Sequence, residues 1–148
     1  MGGLNKNRNR KKHLPNREDA PQPAGRYVLP PREKCEEDVL RTMPSSSNAR
    51  VRTVGRSWRQ AGRLVNFFLG LQYQDQQGEW LDYFTIDCGH GHAHGHRYVN
   101  GERDGELPET ICVLNQVSDV TNALRLSISR LQQEKTILES QIEVKSNE

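Results

Sequence analysis

The chain has 148 residues, 33% of them hydrophobic and 27% charged, with a net charge of +2 when histidine is neutral. That is room for one domain with tails, and too little for several large cores. No apolar run approaches the roughly 20 residues that span a bilayer. The basic N-terminus lacks the apolar segment of a secretory signal, so the expectation is a cytoplasmic protein with no membrane partner. Three cysteines, Cys35, Cys88 and Cys112, without any C-x-x-C pair point to reduced thiols and away from a disulfide framework or zinc ribbon.

Charge is unevenly placed. Residues 1–74 hold 15 Lys/Arg against 6 Asp/Glu, and residues 75–148 hold 6 against 13. Such asymmetry implies a polyanionic partner for the first half or attraction between the halves. Residues 1–34 read as a disordered basic arm, in which Lys6, Arg8, Arg10, Lys11, Lys12 and Arg17 stand among Asn, Pro and Gly with little to bury. Residues 35–62 read as a helical or irregular arginine-rich lead-in. A short helix is expected across Arg32–Met43. A basic helix is expected to follow, because Val51, Val54, Trp58 and Ala61 recur at helical spacing. Arg52, Arg56, Arg59 and Arg63 lie off that apolar face, where they could contact the phosphates of RNA.

The core is expected over residues 63–132. Val65, Phe67, Leu69, Leu71 and Tyr73 alternate with their neighbours, as do Trp80, Phe84, Ile86 and Cys88. Gln76-Gln77-Gly78 lies between the two runs, which together read as an antiparallel hairpin. Arg97-Tyr98-Val99, closed by Asn100-Gly101, reads as a third strand, and Thr110–Leu114 as a fourth. From Ser118 the period changes: Val117, Val120, Leu124, Ile128 and Leu131 make a helical stripe with Ser118 as N-cap and Asp119 beside the positive helix end. Gln132 to Lys135 interrupts it, so residues 133–148 are expected to protrude, fray or pair with a partner protein. The predicted fold is α+β: a small antiparallel meander of about four strands, packed by a C-terminal amphipathic helix and preceded by the basic arm.

One stretch stands apart. Asp87-Cys88-Gly89-His90-Gly91-His92-Ala93-His94-Gly95-His96-Arg97-Tyr98 carries four of the five histidines, at every second residue. Imidazole ionises near neutrality and is the commonest metal ligand, so this spacing marks proton transfer, metal binding, or both. On a straight strand all four rings would share a face, roughly 6.6–6.8 Å apart. The interspersed glycines favour instead a curled loop pointing its histidines inward. Asp87 could orient an imidazole through Nδ1–H, and Arg97 could hold a phosphate in a bidentate fork. Tyr83 and Tyr98 could donate a hydrogen bond or stack on a base.

The pattern D-x-x-H-G-x-x-H-x-H follows a Trp/Tyr-rich strand and precedes an Asn-Gly turn. It resembles a family of small uncharacterised bacterial domains. It is similar, more distantly, to the TumE-like toxins of toxin–antitoxin pairs. The resemblance covers residues 64–131. Asp87, His90, Gly91, His94 and His96 fall on the pattern, while His92 does not and is expected to be dispensable. Ile86 stands where the toxin-like group has an aromatic residue.

Three functions are compatible with these residues. The resemblance and the charge asymmetry imply a toxin-type, metal-independent ribonuclease that needs no cofactor. In it His90 and His94 would exchange protons, with His96 beside them; Asp87 would orient one ring and Arg97 would stabilise the phosphorane. Its partners would be RNA and a cognate antitoxin, held through the C-terminal helix. The second is a zinc- or nickel-binding module using His90, His94 and His96, with Asp87 or Cys88 as a further ligand. The third is a non-enzymatic interaction protein in which the histidines form a structural network.

Overall fold

The computed structural model describes residues 25–146, so the basic residues of the arm up to residue 24 lie outside the described residues. Among the described residues seven strands, β1 (Glu36–Pro44), β2 (Val51–Gln60), β3 (Arg63–Gln74), β4 (Trp80–Gly89), β5 (His92–Val99), β6 (Glu102–Arg103) and β7 (Glu109–Val113), precede a single long helix, α1 (Ser118–Ser146). The strands form one antiparallel sheet in the order β1-β2-β3-β4-β5, whose last strand pairs with β6 near its end and with β7 along its first half. The class is α+β, but the sheet is not the small four-stranded meander expected from the sequence. The larger sheet arises because residues 36–60 are two further strands.

The helical spacing of Val51, Val54, Trp58 and Ala61 is therefore misleading. In β2 alternate residues take opposite faces. Arg52, Val54, Arg56 and Trp58 pair across to Gln72, Gly70, Phe68 and Asn66, while Val51, Gly55 and Ser57 pair to Tyr73, Leu69 and Phe67. The chain reverses at Ala61-Gly62, where φ values of 49° and 77° give a two-residue hairpin loop with both central residues left-handed. Of the helix expected over Arg32–Met43, only a 3-10 turn at Arg32–Lys34 forms. The rest becomes β1, whose Val39 and Met43 are exposed. An apolar stripe with nothing to bury it cannot stabilise a helix, whereas pairing with β2 satisfies the backbone. The core accordingly starts before residue 63, since Val51 is 0% and Trp58 3% exposed.

The β3–β4 hairpin forms as its alternation implies. One face of the sheet carries Phe67, Leu69, Leu71, Phe84, Ile86, Cys88 and Ala93, which build the core with the helix. A register shift between Leu71 and Gln72 changes the parity of the start of β4. Trp80 and Asp82 therefore lie with Gln72 on the face away from the core residues, although Trp80 shares even numbering with Phe84.

On α1, Val120, Ala123, Ser127, Leu131, Glu134, Leu138 and Ile142 are buried, a continuous stripe at steps of three and four. The helix thus packs well beyond residue 132, and residues up to Ile142 do not fray as expected. At 1.5 Å per residue the helix is about 43 Å long, and its buried residues run from Val120 to Ile142. Ser118 begins the helix, and it is Asp119 that ties down the approach: its Oδ2 accepts from the backbone N–H groups of Asn115 and Gln116 at 2.8 and 3.1 Å.

The apparent interruption at Gln132–Lys135 contains the residue that binds the layers. Glu134 is 1% exposed and accepts hydrogen bonds from the guanidiniums of Arg97 on β5 and Arg130 one turn earlier on α1. Arg130 also chelates Glu109 at the start of β7, at 2.7 and 3.0 Å. Both guanidiniums lie near the Phe84 ring, 5.5 and 5.0 Å from its centroid. A buried carboxylate is tolerable only with such charge-assisted partners.

Residues 25–34 are also not a free arm. Gly25 N–H donates to Gly91 O at 3.3 Å, Tyr27 N–H to Leu114 O at 3.1 Å, and Tyr27 Oη to Val65 O at 2.7 Å. No helix among the described residues is long and apolar enough to cross a membrane.

Burial pushes the Glu134 carboxyl up, but the hydrogen bonds and charges of Arg97 and Arg130 outweigh it and hold the group below its usual range. Such a group contributes stability above the unfolded carboxylate pKa and loses it as pH falls through the folded value. Glu134→Gln is expected to lower unfolding stability by about 2–3 kcal/mol at neutral pH and to flatten the acid limb of a denaturation profile. An unchanged midpoint at neutral pH and on the acid limb would show that the network is not what fastens helix to sheet.

Candidate metal centre

The site is built by the β4–β5 hairpin. Its loop is two residues, His90 and Gly91, with φ of 54° and 75°, and Gly89 faces His92 across it. Both central residues left-handed is the geometry that matches strand twist, and glycine supplies it at the second position without a Cβ clash. At Gly91 a Cβ would also lie 2.2 Å from Gly25 O, so the turn and the incoming chain meet backbone to backbone.

From His92 onward the segment is a strand, and this replaces the curled loop expected from its glycines. At Gly95 the missing side chain makes room for the Phe84 ring, which an added Cβ would meet at 2.5 Å. Regular alternation then sorts the side chains. Asp87 stands opposite His94, Thr85 opposite His96, and Gly89 opposite His92, all on the face away from the buried core residues. Neighbouring rings along this row are spaced by 5.6 Å (His92–His94) and 5.7 Å (His94–His96).

Asp87 gathers two of them. Its Oδ1 lies 3.1 Å from His94 Nδ1 and 3.4 Å from His96 Nε2. A carboxylate can only accept, so the hydrogen bond places a proton on His94 Nδ1. One donor atom from each of Asp87, His94 and His96 lies within 4.8 Å of the other two. The side chains are 30%, 12% and 11% exposed, which leaves the cluster shielded but reachable. For Zn–N and Zn–O bonds of about 2.0–2.1 Å, the edge of a coordination tetrahedron is about 3.3 Å. The two distances to Asp87 bracket that edge.

Electrostatics follows from the packing. Burial pushes the Asp87 carboxyl up, but the His94 hydrogen bond and the charges of His96 and His94 outweigh it, leaving the carboxylate below its usual range. Burial pushes His96 down by more than Asp87 raises it, and the Arg103 guanidinium adds to the depression.

Not every expected residue joins the cluster. His90, expected as both proton donor and metal ligand, sits in the turn, exposed, with its ring 6.4 Å from that of His94. Asp87 takes its place in the convergent set. Arg97 faces the helix and binds Glu134, so it is not presented with the histidines; its odd number on a regular strand opposes it to His94 and His96. Cys88 is excluded on the same ground: it pairs with Ala93 on the core face, and burial pushes its thiol up to about 12. His92, read as dispensable, is buried beside His94.

The four arginines divide. Arg52 and Arg56 share the sheet face of Asp87, being paired with Gln72 and Phe68. Arg59 and Arg63 flank the Ala61-Gly62 turn at the sheet's end, where Arg59 Nη1 donates to Gly62 O at 3.4 Å. Two neighbours of the site escaped the sequence reading, Thr85 and Arg103. Thr85 Oγ1 donates to Tyr98 Oη at 3.2 Å, and Arg103 Nε donates to the same oxygen at 3.4 Å. Tyr98 continues the even-numbered row after His96, the one signal that could have placed this group beside the site.

A histidine with a folded pKa below its unfolded value contributes stability above the ordinary histidine range and loses it as pH falls through that range. In the metal-free protein, ring-proton NMR should show His96 titrating below an ordinary histidine. Asp87→Asn should move it lower still, because the carboxylate is what raises it; a rise in the variant would contradict this electrostatic account. Comparison with protein-family models, curated proteins and solved structures finds no match.

Proposed function

We propose that the protein binds a divalent transition metal, zinc or nickel, through Asp87, His94 and His96. The observation that carries this reading is the convergence of one carboxylate oxygen and two imidazole nitrogens within 4.8 Å of one another, with both nitrogens at about the edge length of a coordination tetrahedron from Asp87 Oδ1. Nitrogen and oxygen donors of this kind suit both ions. Three protein ligands leave at least one position open, as in zinc sites that polarise a bound water or ligand. Thr85, Tyr98 and Arg103 form the polar surround beside His96.

The metal-independent ribonuclease reading retains an Asp–His pair for acid–base work. It lacks the arginine assigned to the phosphorane, because Arg97 is committed to Glu134 on the other side of the sheet. The metal reading needs no such group.

Protein purified without an affinity tag is expected to retain stoichiometric zinc or nickel by elemental analysis. The double variant His94→Ala/His96→Ala should lose it, and Asp87→Asn should weaken binding by about a hundredfold or more, since even outer-sphere partners contribute roughly 10–100-fold. His90→Ala should change affinity little. Absence of bound metal, together with no thermal shift on adding either ion, overturns the proposal.

A further inference from the structure

We propose that the same sheet face carries a second subsite, a groove that takes a planar anion: an aromatic ring bearing one carboxylate or phosphate. The groove lies over β1, β2 and β3, has a volume of about 480 Å³, and is walled by Arg32, Arg52, Arg56, Trp58, Phe68 and Val54. That volume is on the scale of a small organic molecule, for which sites are commonly about 300–1,000 Å³.

The state of its arginines distinguishes the groove from an ordinary polar surface. Under the helix two arginines are neutralised: Arg97 and Arg130 are bonded to Glu134, and Arg130 to Glu109 as well. In the groove, the Arg32 guanidinium lies 4.2 Å over the Trp58 ring and the Arg52 guanidinium 4.0 Å over Trp80. Among the described residues neither has a carboxylate partner within ion-pair distance; Arg52 donates to the Gln72 amide oxygen at 2.7 Å. A π face and an amide oxygen hold a cation in position without cancelling its charge. Arg56 has a loose contact with Glu37 at 3.6 Å, and both side chains are about half exposed. Asp82 also borders the groove, but its Oδ1 is occupied by the Gln72 amide at 3.0 Å. Three guanidiniums against these two carboxylates leave a positive site, and the guanidinium fork matches carboxylate and phosphate oxygens.

The apolar part of the groove explains why the anion should be attached to a ring. Phe68 is only partly buried and forms, with Val54, an apolar floor between the arginines and the candidate metal centre. Arg56 pairs with Phe68, Phe68 with Asp87, and Asp87 with His94, one row straight across four strands. At roughly 4.8 Å per strand, Arg56 and Asp87 are about 10 Å apart along this row. A ligand anchored by its anionic group at Arg56 would lay its ring over Phe68 and point its far end at Asp87, with Arg52 lining the same groove. This inference rests on the metal reading only in taking that end as the reacting one; anion binding in the groove needs no metal.

The chain's two tryptophans are both under groove arginines, so intrinsic fluorescence reports occupancy directly. The full chain, with and without chelator, would be titrated with adenosine 5′-monophosphate and with benzoate, which separate phosphate from carboxylate recognition. Inorganic phosphate, adenosine and an oligouridylate strand serve as comparisons. Saturable quenching by at least one of the two aromatic anions is expected, tighter than by phosphate or adenosine and unaffected by chelation. Arg56→Gln, at an exposed position that leaves the core intact, should weaken it about tenfold, and Arg52→Gln should weaken it as well. No saturable change, equal affinity for adenosine, or an unchanged Arg56→Gln variant would each overturn the proposal. An oligouridylate that binds far more tightly than the mononucleotide would also overturn it, making the groove a track for a nucleic-acid strand. Loss of metal binding in Asp87→Asn with groove binding retained would separate the two sites experimentally.

Discussion

Side-chain parity across the β4–β5 hairpin decides which of the aspartate, histidine and arginine side chains meet. Because the His90-Gly91 loop contains two residues, Gly89 must face His92, and every later pair follows from that register. Asp87 meets His94, and His94 and His96 share its face. Arg97 is turned to the core side, where Glu134 receives it. A slip of one residue would send the histidines into the hydrophobic layer and Arg97 into solvent. The register is held from both directions, by the large apolar side chains of the core face and by the close backbone contact between Gly91 and Gly25.

The two faces of the sheet handle charge in opposite ways. Under the helix, charge is buried and fully matched: a carboxylate in the core receives two guanidiniums, which are themselves near the Phe84 ring. On the other face, arginines rest on tryptophans and keep their charge, while a carboxylate draws two imidazoles together. A matched buried network holds the layers in one arrangement. Cations and ligand-type nitrogens left partly accessible have capacity for something that is not protein. This contrast, more than the number of histidines, points to the sheet face away from the helix as the working surface.

Period-2 alternation made much of this legible in advance. The β3–β4 hairpin, the strand at residues 109–113 and the start of the long helix follow from apolar spacing and turn residues that local physics reads directly. The Asp/His stretch is also visible from composition and spacing alone. What misled was geometry with two solutions. Val51, Val54, Trp58 and Ala61 suit a helix by spacing, yet Val51 and Trp58 are buried on opposite faces of a strand because β3 is available to pair. Glycines among the histidines suggested a curl. In place, Gly91 serves the turn and Gly95 admits a phenyl ring, so the strand runs straight.

By itself, the sequence determined which residues could do chemistry and roughly where strands and helix lie, because both depend on residue type and near-neighbour spacing. Tertiary structure alone decided which of them act together. Asp87 and His94 are seven positions apart and meet only through hairpin register. Glu134 reads as a break in an amphipathic stripe until Arg97 and Arg130 neutralise it. Arg52, Arg56 and Phe68 join the same face as Asp87 only once three strands are aligned. Those contacts depend on strand register and packing, and their energies depend on distances that no local pattern encodes.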